Sequence, residues 1–233
     1  MGNEIMDLKE LATYLQRDLR EVTRLASRGH LPGQKVSGQW RFHQAEINHW
    51  LETQLSEYSE EQLAALEARS ARATDKTLLL SALMSEATTA VPLPANTRAS
   101  VLNELIRLAE QSWQVFDAAA LAEAVSQREE MGCTALPSGV ALPHPRRPLP
   151  HVLGESILAF GRTAAGIPFG GSGALTDVFF LICCRDYPTH LQVMARLARL
   201  LLRATFLDEL RGASNSAETL QVIETHEREV IGN

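Results

Sequence analysis

A chain of 233 residues can hold one large domain or two modest ones, and its 45% hydrophobic content supports a buried core. The formal net charge of −6 argues against the chain as a whole being a nucleic-acid binder, while leaving room for one basic face. Three cysteines occur, Cys133, Cys183 and Cys184, the last two adjacent in an apolar run, which is no disulfide framework and fits a reducing cytoplasm. There is no CxxC, HxxxH or HExxH spacing, so metal ligation is not expected. The chain is read as using no cofactor. The opening MGNEIMDLKEL lacks the positive and apolar regions of a signal peptide. No run approaches the ~18 uninterrupted apolar residues of a membrane span.

Asp7 followed three residues later by Glu10 is a capping-box start, and Leu8, Leu11, Ala12 and Leu15 continue at helical spacing. Asp18 and Glu21 repeat that signal. The second helix then runs from about Leu19 to Arg28, with Val22, Leu25 and Ala26 inward and Gly29 as its stop. Two short helices joined by a tight turn make a helix-turn-helix. In KVSGQWRF, Val36 and Trp40 flank a Ser37-Gly38 pair suited to a hairpin. A third helix, Gln44 to about Leu55, places Ile47, Trp50 and Leu51 on one side.

Arg20, Arg24 and Arg28 recur every fourth residue along the exposed side of the second helix, and Lys35 and Arg41 add charge on the hairpin. These five are the candidate DNA contacts, because recognition helices set such side chains toward phosphates and base edges. Acidic residues match the basic ones in number across the module. A monomer would therefore bind weakly, and a homodimer engaging two half-sites is the form expected to bind. The stretch from Asp7 to Leu51, chiefly RGHLPGQKV and WRF, resembles the winged helix-turn-helix of the excisionase and MerR-like family. The resemblance implies a DNA-binding domain at residues 1–54.

From Gln54 the composition turns to LSEYSEEQLAALEARSARATDK. Ser59 and Gln62 form another capping box, and the alanine, leucine, glutamate and arginine content favours helix. The polar face is nearly continuous, so residues 55–76 read as a helical linker; only Leu63 and Leu66 suggest a dimer seam, and no heptad lasts long enough to favour one.

The third segment, 77–228, interleaves helices and strands and reads as an α/β domain. TLLLSALMSEA, RASVLNELIRLAEQSW and DAAALAEAVSQREE have helical patterns, with Asp117 capping the third and Arg128 in its last turn. TALPSGVALP, GESILAFGRT and LTDVFFLICCR read as strands, the last buried on both faces. Thr189 to about Leu210 returns to helix, with Leu191, Met194, Leu197, Ala198, Leu201 and Leu202 as its apolar stripe, and a last helix spans about Ser216 to Glu227. Within SGVALPHPRRPLPH, His144 stands between Pro143 and Pro145, which lock φ and donate no N–H. The ring is thus fixed at an element end, where chemistry tends to sit, although the local pattern alone also fits a rim histidine. Ser172 in GGSG suggests a nucleophile elbow, but position 174 is alanine and the GxSxG pattern fails. His151 and Cys133 read as incidental.

From roughly Leu78 to Glu224 the chain resembles enzyme IIA of the phosphoenolpyruvate-dependent phosphotransferase system (PTS), in the branch of fructose, mannitol and nitrogen-regulatory proteins. REEMGCTALPSGVALPH, GIPFGGSGALTDVFFLICC, PTHLQVMARLARLL and FLDELRGASNSAETLQVI carry it. The resemblance implies a mixed β-sheet flanked by helices, with the winged helix-turn-helix ahead of it. It makes His144 the phosphoryl acceptor, His190 its neighbour in the pocket and Arg128 the nearby cation. An anion at His190 would also meet the free N–H groups and dipole of a helix start. Many members follow the active histidine with Gly-Arg or Gly-Lys, whereas this chain has Pro145-Arg146-Arg147-Pro148.

The expected function is that of a cytoplasmic regulator. It would take phosphate on His144 from a histidine-phosphorylated carrier of the HPr type and control a DNA-bound or partner-bound output. Two alternatives stand beside it. One is a phosphocarrier passing phosphate to a separate sugar-specific IIB component. The other is a non-phosphorylated DNA-binding module in which Pro145 marks a degenerate site.

Overall fold

Two compact units, Met1–Glu57 and Tyr58–Asn233, make up the computed structural model, which describes residues 5–15, 17–74, 78–170 and 173–232. In the first unit Asp7 and Glu10 cap each other. The Asp7 carboxylate accepts the Glu10 amide at 2.9 Å, and the Glu10 carboxylate accepts the Asp7 amide at 2.8 Å, starting α1 (Leu8–Leu15). Asp18 caps α2 (Leu19–Ser27) through the Arg20 amide. α2 ends in a Schellman arrangement, the Gly29 amide donating to Ala26 and the His30 amide to Leu25. Glu21 departs from its expected role: its carboxylate pairs with Arg17 at 2.9 Å.

β2 (Gln34–Val36) and β3 (Gln39–His43) meet across Ser37 and Gly38, both at positive φ, which is the two-residue turn whose twist suits a hairpin. β1 (Ile5–Met6), which the sequence pattern did not reveal, adds antiparallel to β3. Among the described residues the sheet order is β1-β3-β2. α3 (Gln44–Gln54) buries Ala45, Ile47 and Leu51, and also Asn48, whose carbonyl oxygen accepts the Tyr14 hydroxyl at 2.6 Å. Trp50 is only half-buried.

α4 (Glu60–Thr74) corrects the linker expectation. It belongs to the second unit and packs along α7 (Tyr187–Leu201), with Leu63 and Leu66 buried rather than offered as a dimer seam. Its capping box forms as read, the Ser59 amide donating to Gln62 Oε1 at 2.9 Å. Glu67 of α4 pairs with Arg196 and with Arg199 of α7. Arg196 reaches Glu227 of α9 (Ser216–Gly232) at 2.6 Å, and Arg199 donates to the Val230 carbonyl at 2.8 Å. Arg196 and Glu227 are each 1% exposed, so α7 is buried nearly all round and the expected one-sided stripe is too narrow.

Among the described residues a mixed sheet in the order β4-β6-β7-β5 forms the centre of this unit. β6 (Ile157–Pro168) runs antiparallel to β7 (Leu175–Cys183). β4 (Thr89–Ala90) lies parallel to β6, and β5 (Val140–Ala141) parallel to β7. Phe179, Leu181 and Cys183 of β7 share one apolar cluster with Val101 and Leu105 of α5 (Arg98–Glu110) and Leu121 and Val125 of α6 (Ala118–Glu130). The alternate residues Val178, Phe180 and Ile182 are buried too, so β7 is covered on both faces as its apolar run predicts.

Three element assignments change. Residues 78–88 form two 3-10 turns: at Ser81–Leu83 the buried Glu227 carboxylate captures the Leu80 and Ser81 amides, and at Glu86–Thr88 Ser85 and Thr88 cap each other. The strand expected over 134–143 pairs with β7 only at Val140–Ala141. Pro137 and Pro143 lack N–H groups, and Gly139 at φ +82° turns the chain. The long helix from Thr189 breaks at Leu202 and Arg203 into α7 and α8 (Ala204–Gly212), leaving Leu202 exposed while Phe206 and Leu210 of α8 are buried. Ser172 lies outside the described residues.

The buried network yields a stability prediction. Glu227→Ala strips Arg196 and two backbone amides of a partner, so urea unfolding should report a loss of about 3–5 kcal/mol. A loss under about 1 kcal/mol would mean that water already shares these charges.

Candidate functional site

His144 is positioned by the strand it leaves. The Pro143 carbonyl accepts the Ile182 amide of β7 at 2.9 Å, and beyond the ring the Leu149 amide donates to Cys184 at 3.2 Å. The segment is thereby stitched to the central strand on both sides of the histidine. The ring itself is held at both nitrogens. Nδ1 lies 2.7 Å from the Leu142 carbonyl oxygen, and Nε of Arg128 donates to Nε2 at 3.2 Å.

These two contacts decide the tautomer. A guanidinium can only donate, so Nε2 presents its lone pair, and Nδ1 therefore carries the proton and donates to Leu142. An imidazole in this form is a nucleophile at Nε2. Arg128 sits in the last turn of α6, and its Nη1 donates to the Gly132 carbonyl at 2.9 Å, which keeps the cation beside Nε2.

His190 completes the constellation. Its ring centroid is 5.1 Å from that of His144, tilted by 50°. Asp186 caps α7, accepting the Thr189 amide at 2.8 Å and hydroxyl at 2.9 Å, while the His190 amide donates to the Asp186 carbonyl and Pro188 has no N–H. The helix start therefore holds fewer free amides than expected for anion binding. What His190 brings is its imidazole and the positive end of the helix dipole. His144 and His190 are both buried. Pro145, Arg146, Arg147, Pro148, Tyr187, Cys184 and His190 line a small cleft beside the ring.

The structure thus brings His144, His190 and Arg128 together. Sequence reasoning missed the Leu142 carbonyl, a backbone group with no sequence signature. Cys184 is close by but does not compete as a nucleophile. Burial pushes its thiol well above the ordinary value and drives Cys183 up to about 12. Cys133 is exposed, with its thiol also raised by partial burial, and His151 is an exposed loop residue.

In the first unit Arg20, Arg24 and Arg28 are exposed along α2, as their spacing predicts. The hairpin cations divide. Lys35 pairs across from Trp40 and sits 5.2 Å from its ring, whereas Arg41 is opposite Gln34 and bonds Gln39 at 3.0 Å. Alternation along the strands places Lys35 and Arg41 on opposite faces, so they do not form one patch.

Residues 82–226 match the family model described as phosphoenolpyruvate-dependent sugar phosphotransferase system, EIIA 2, and residues 5–55 match a helix-turn-helix domain. A nitrogen regulatory protein of Bradyrhizobium diazoefficiens is 34% identical over 133 residues, covering 55% of this chain and 82% of its own. The PTS system fructose-specific EIIABC component of Bacillus subtilis is 25% identical over 149 residues, covering 63% of this chain. This chain spans only 23% of that relative's length. The crystal structure of nitrogen regulatory protein IIA-Ntr from Neisseria meningitidis superposes with a TM-score of 0.55 at 20% identity, over 61% of this chain and 97% of that one.

Proposed function

We propose, from the premise that this chain belongs to the EIIA type 2 family of the phosphoenolpyruvate-dependent sugar phosphotransferase system and carries a helix-turn-helix domain ahead of it, that it is a cytoplasmic phosphorylation-dependent regulator. His144 accepts a phosphoryl group from a phosphohistidine carrier of the HPr type. The observation that carries this reading is the pair of contacts on the ring, Leu142 at Nδ1 and Arg128 at Nε2. They leave Nε2 unprotonated and hold a cation beside it, within reach of incoming phosphoryl oxygens once it releases the ring.

The transfer balances without a proton acceptor. The Nε2 lone pair forms the new P–N bond as the carrier's P–N bond breaks, and the carrier's ring nitrogen leaves with its electron pair. Positive charge appearing on the His144 ring is stabilised through Nδ1–H by the Leu142 carbonyl. Arg128 must release Nε2 as phosphorus approaches and then donate to the equatorial oxygens, with His190 beside it.

The output is DNA binding by the first unit, altered by the charge of about −2 that phosphorylation adds. Membership of nitrogen regulatory proteins among the relatives supports a regulatory role. The fructose-specific relative favours one second reading, relay of the phosphate to a separate IIB component.

Two outcomes check the proposal. Incubation with phosphoenolpyruvate, enzyme I and an HPr-type carrier should add one acid-labile phosphate to the intact mass, absent in His144→Ala. No added mass with several carriers would sink both relay readings. For the output, Arg24→Ala should weaken binding to DNA of any sequence and reduce the salt slope by about 1. Equal binding by wild type and variant would remove α2 from the interface.

A further inference from the structure

Resting on the acceptor reading, we propose that Glu129, held by Arg98, is a positioning residue that fixes the tautomer of the His144 ring. Glu129 follows Arg128 in the last turn of α6 and is 3% exposed. An acid there opposes the negative end of the helix dipole, so local electrostatics do not account for it. Its partners do. The carboxylate accepts Nη2 of Arg98 at 2.9 Å and the Thr134 amide at 3.2 Å, and takes the Thr134 hydroxyl in a short hydrogen bond. The same Arg98 nitrogen donates to the Glu129 carbonyl at 2.7 Å, while its guanidinium carbon lies 5.5 Å from the centre of the Phe169 ring.

These contacts fix the loop 131–134, and that loop supplies both groups behind the histidine. The Gly132 carbonyl accepts Nη1 of Arg128 at 2.9 Å, and Arg128 holds Nε2 of the ring. The Thr134 carbonyl accepts the Leu142 amide at 3.3 Å, and the Leu142 carbonyl holds Nδ1. Glu129 therefore stands one link behind each clamp. It acts through Arg128 and Leu142 and not on the phosphoryl group.

Glu129→Gln keeps the shape and removes the charge. It also replaces one acceptor oxygen with a donor NH2, so that either the Arg98 contact or the contact from the Thr134 amide must be lost, the Thr134 hydroxyl being able to turn and accept. The experiment uses the full chain labelled with 15N-histidine, and ring 1H–15N correlations report which nitrogen of His144 is protonated. The wild type is expected in the Nδ1–H form alone. Glu129→Gln is expected to show a mixture with the Nε2–H form. Its maximal rate of phosphorylation by carrier, enzyme I and phosphoenolpyruvate should fall at least about tenfold, with half-saturation by carrier unchanged. Thr134→Val, which removes the hydroxyl but keeps the amide, should shift the ring in the same direction and serves if the first variant unfolds. Retention of the pure Nδ1–H form in a folded variant overturns the proposal, whatever the rate does. A wild-type protein that takes up no phosphate fails the acceptor reading instead, and the ring spectra then still decide the role of Glu129.

Discussion

A neutral imidazole is ambiguous by itself, because either nitrogen can carry the proton and only the other can attack. In this protein the ambiguity at His144 is removed by a backbone carbonyl on one side and a guanidinium that can only donate on the other. The phosphoryl-acceptor role proposed for the second unit rests on that two-sided hold. The proline-flanked segment is tied to the central strand through Ile182 and Cys184, so the carbonyl cannot drift. Arg128 is tied to Gly132, so the cation stays within reach of a phosphoryl group. Phosphoryl transfer asks little covalent chemistry of a protein and much positioning, and the arrangement is almost entirely positioning.

The same logic runs through the fold around the site. β7 is buried on both faces and serves as the fixed beam to which the His144 segment is attached. α7, which begins with the cap that places His190, is locked further along by Arg196 and Arg199 against Glu67 and Glu227. Burying two guanidiniums and two carboxylates is costly unless their geometry is good, and breaking one partner leaves an uncompensated charge. The network therefore makes the placement of α4, α7 and α9 close to all-or-none within this unit. α4 lies ahead of the residues that match the enzyme IIA family, yet it is part of the same packed body.

Much of this was legible in the sequence where local chemistry speaks for itself. The caps at Asp7, Ser59 and Asp117, the stop at Gly29 and the Ser37-Gly38 turn are short-range signals and form as read, while Asp18 caps its helix without Glu21. The apolar run of β7 announced a doubly covered strand. What was not legible depended on contacts distant in the chain. The turn at Ser81–Leu83 follows from a carboxylate at Glu227, about 147 positions away, which no local pattern encodes. α4 looked like a solvated linker because Glu67 and Ser70 are polar, and only Arg196 and Arg199 reveal why Glu67 is buried. At the site, His144, His190 and Arg128 could be placed by family resemblance. The Leu142 carbonyl has no side-chain signature, and Glu129 was hidden beside a more conspicuous arginine.

The most direct test of the account is to ask which ring nitrogen carries the phosphate. Phosphorylated protein with 15N-labelled histidine, examined by 31P–15N coupling, should place the P–N bond on Nε2 of His144, with Nδ1 still protonated and donating to Leu142. A phosphoryl group on Nδ1 of His144, or on His190, would contradict it, because the clamp would then be holding the wrong atom.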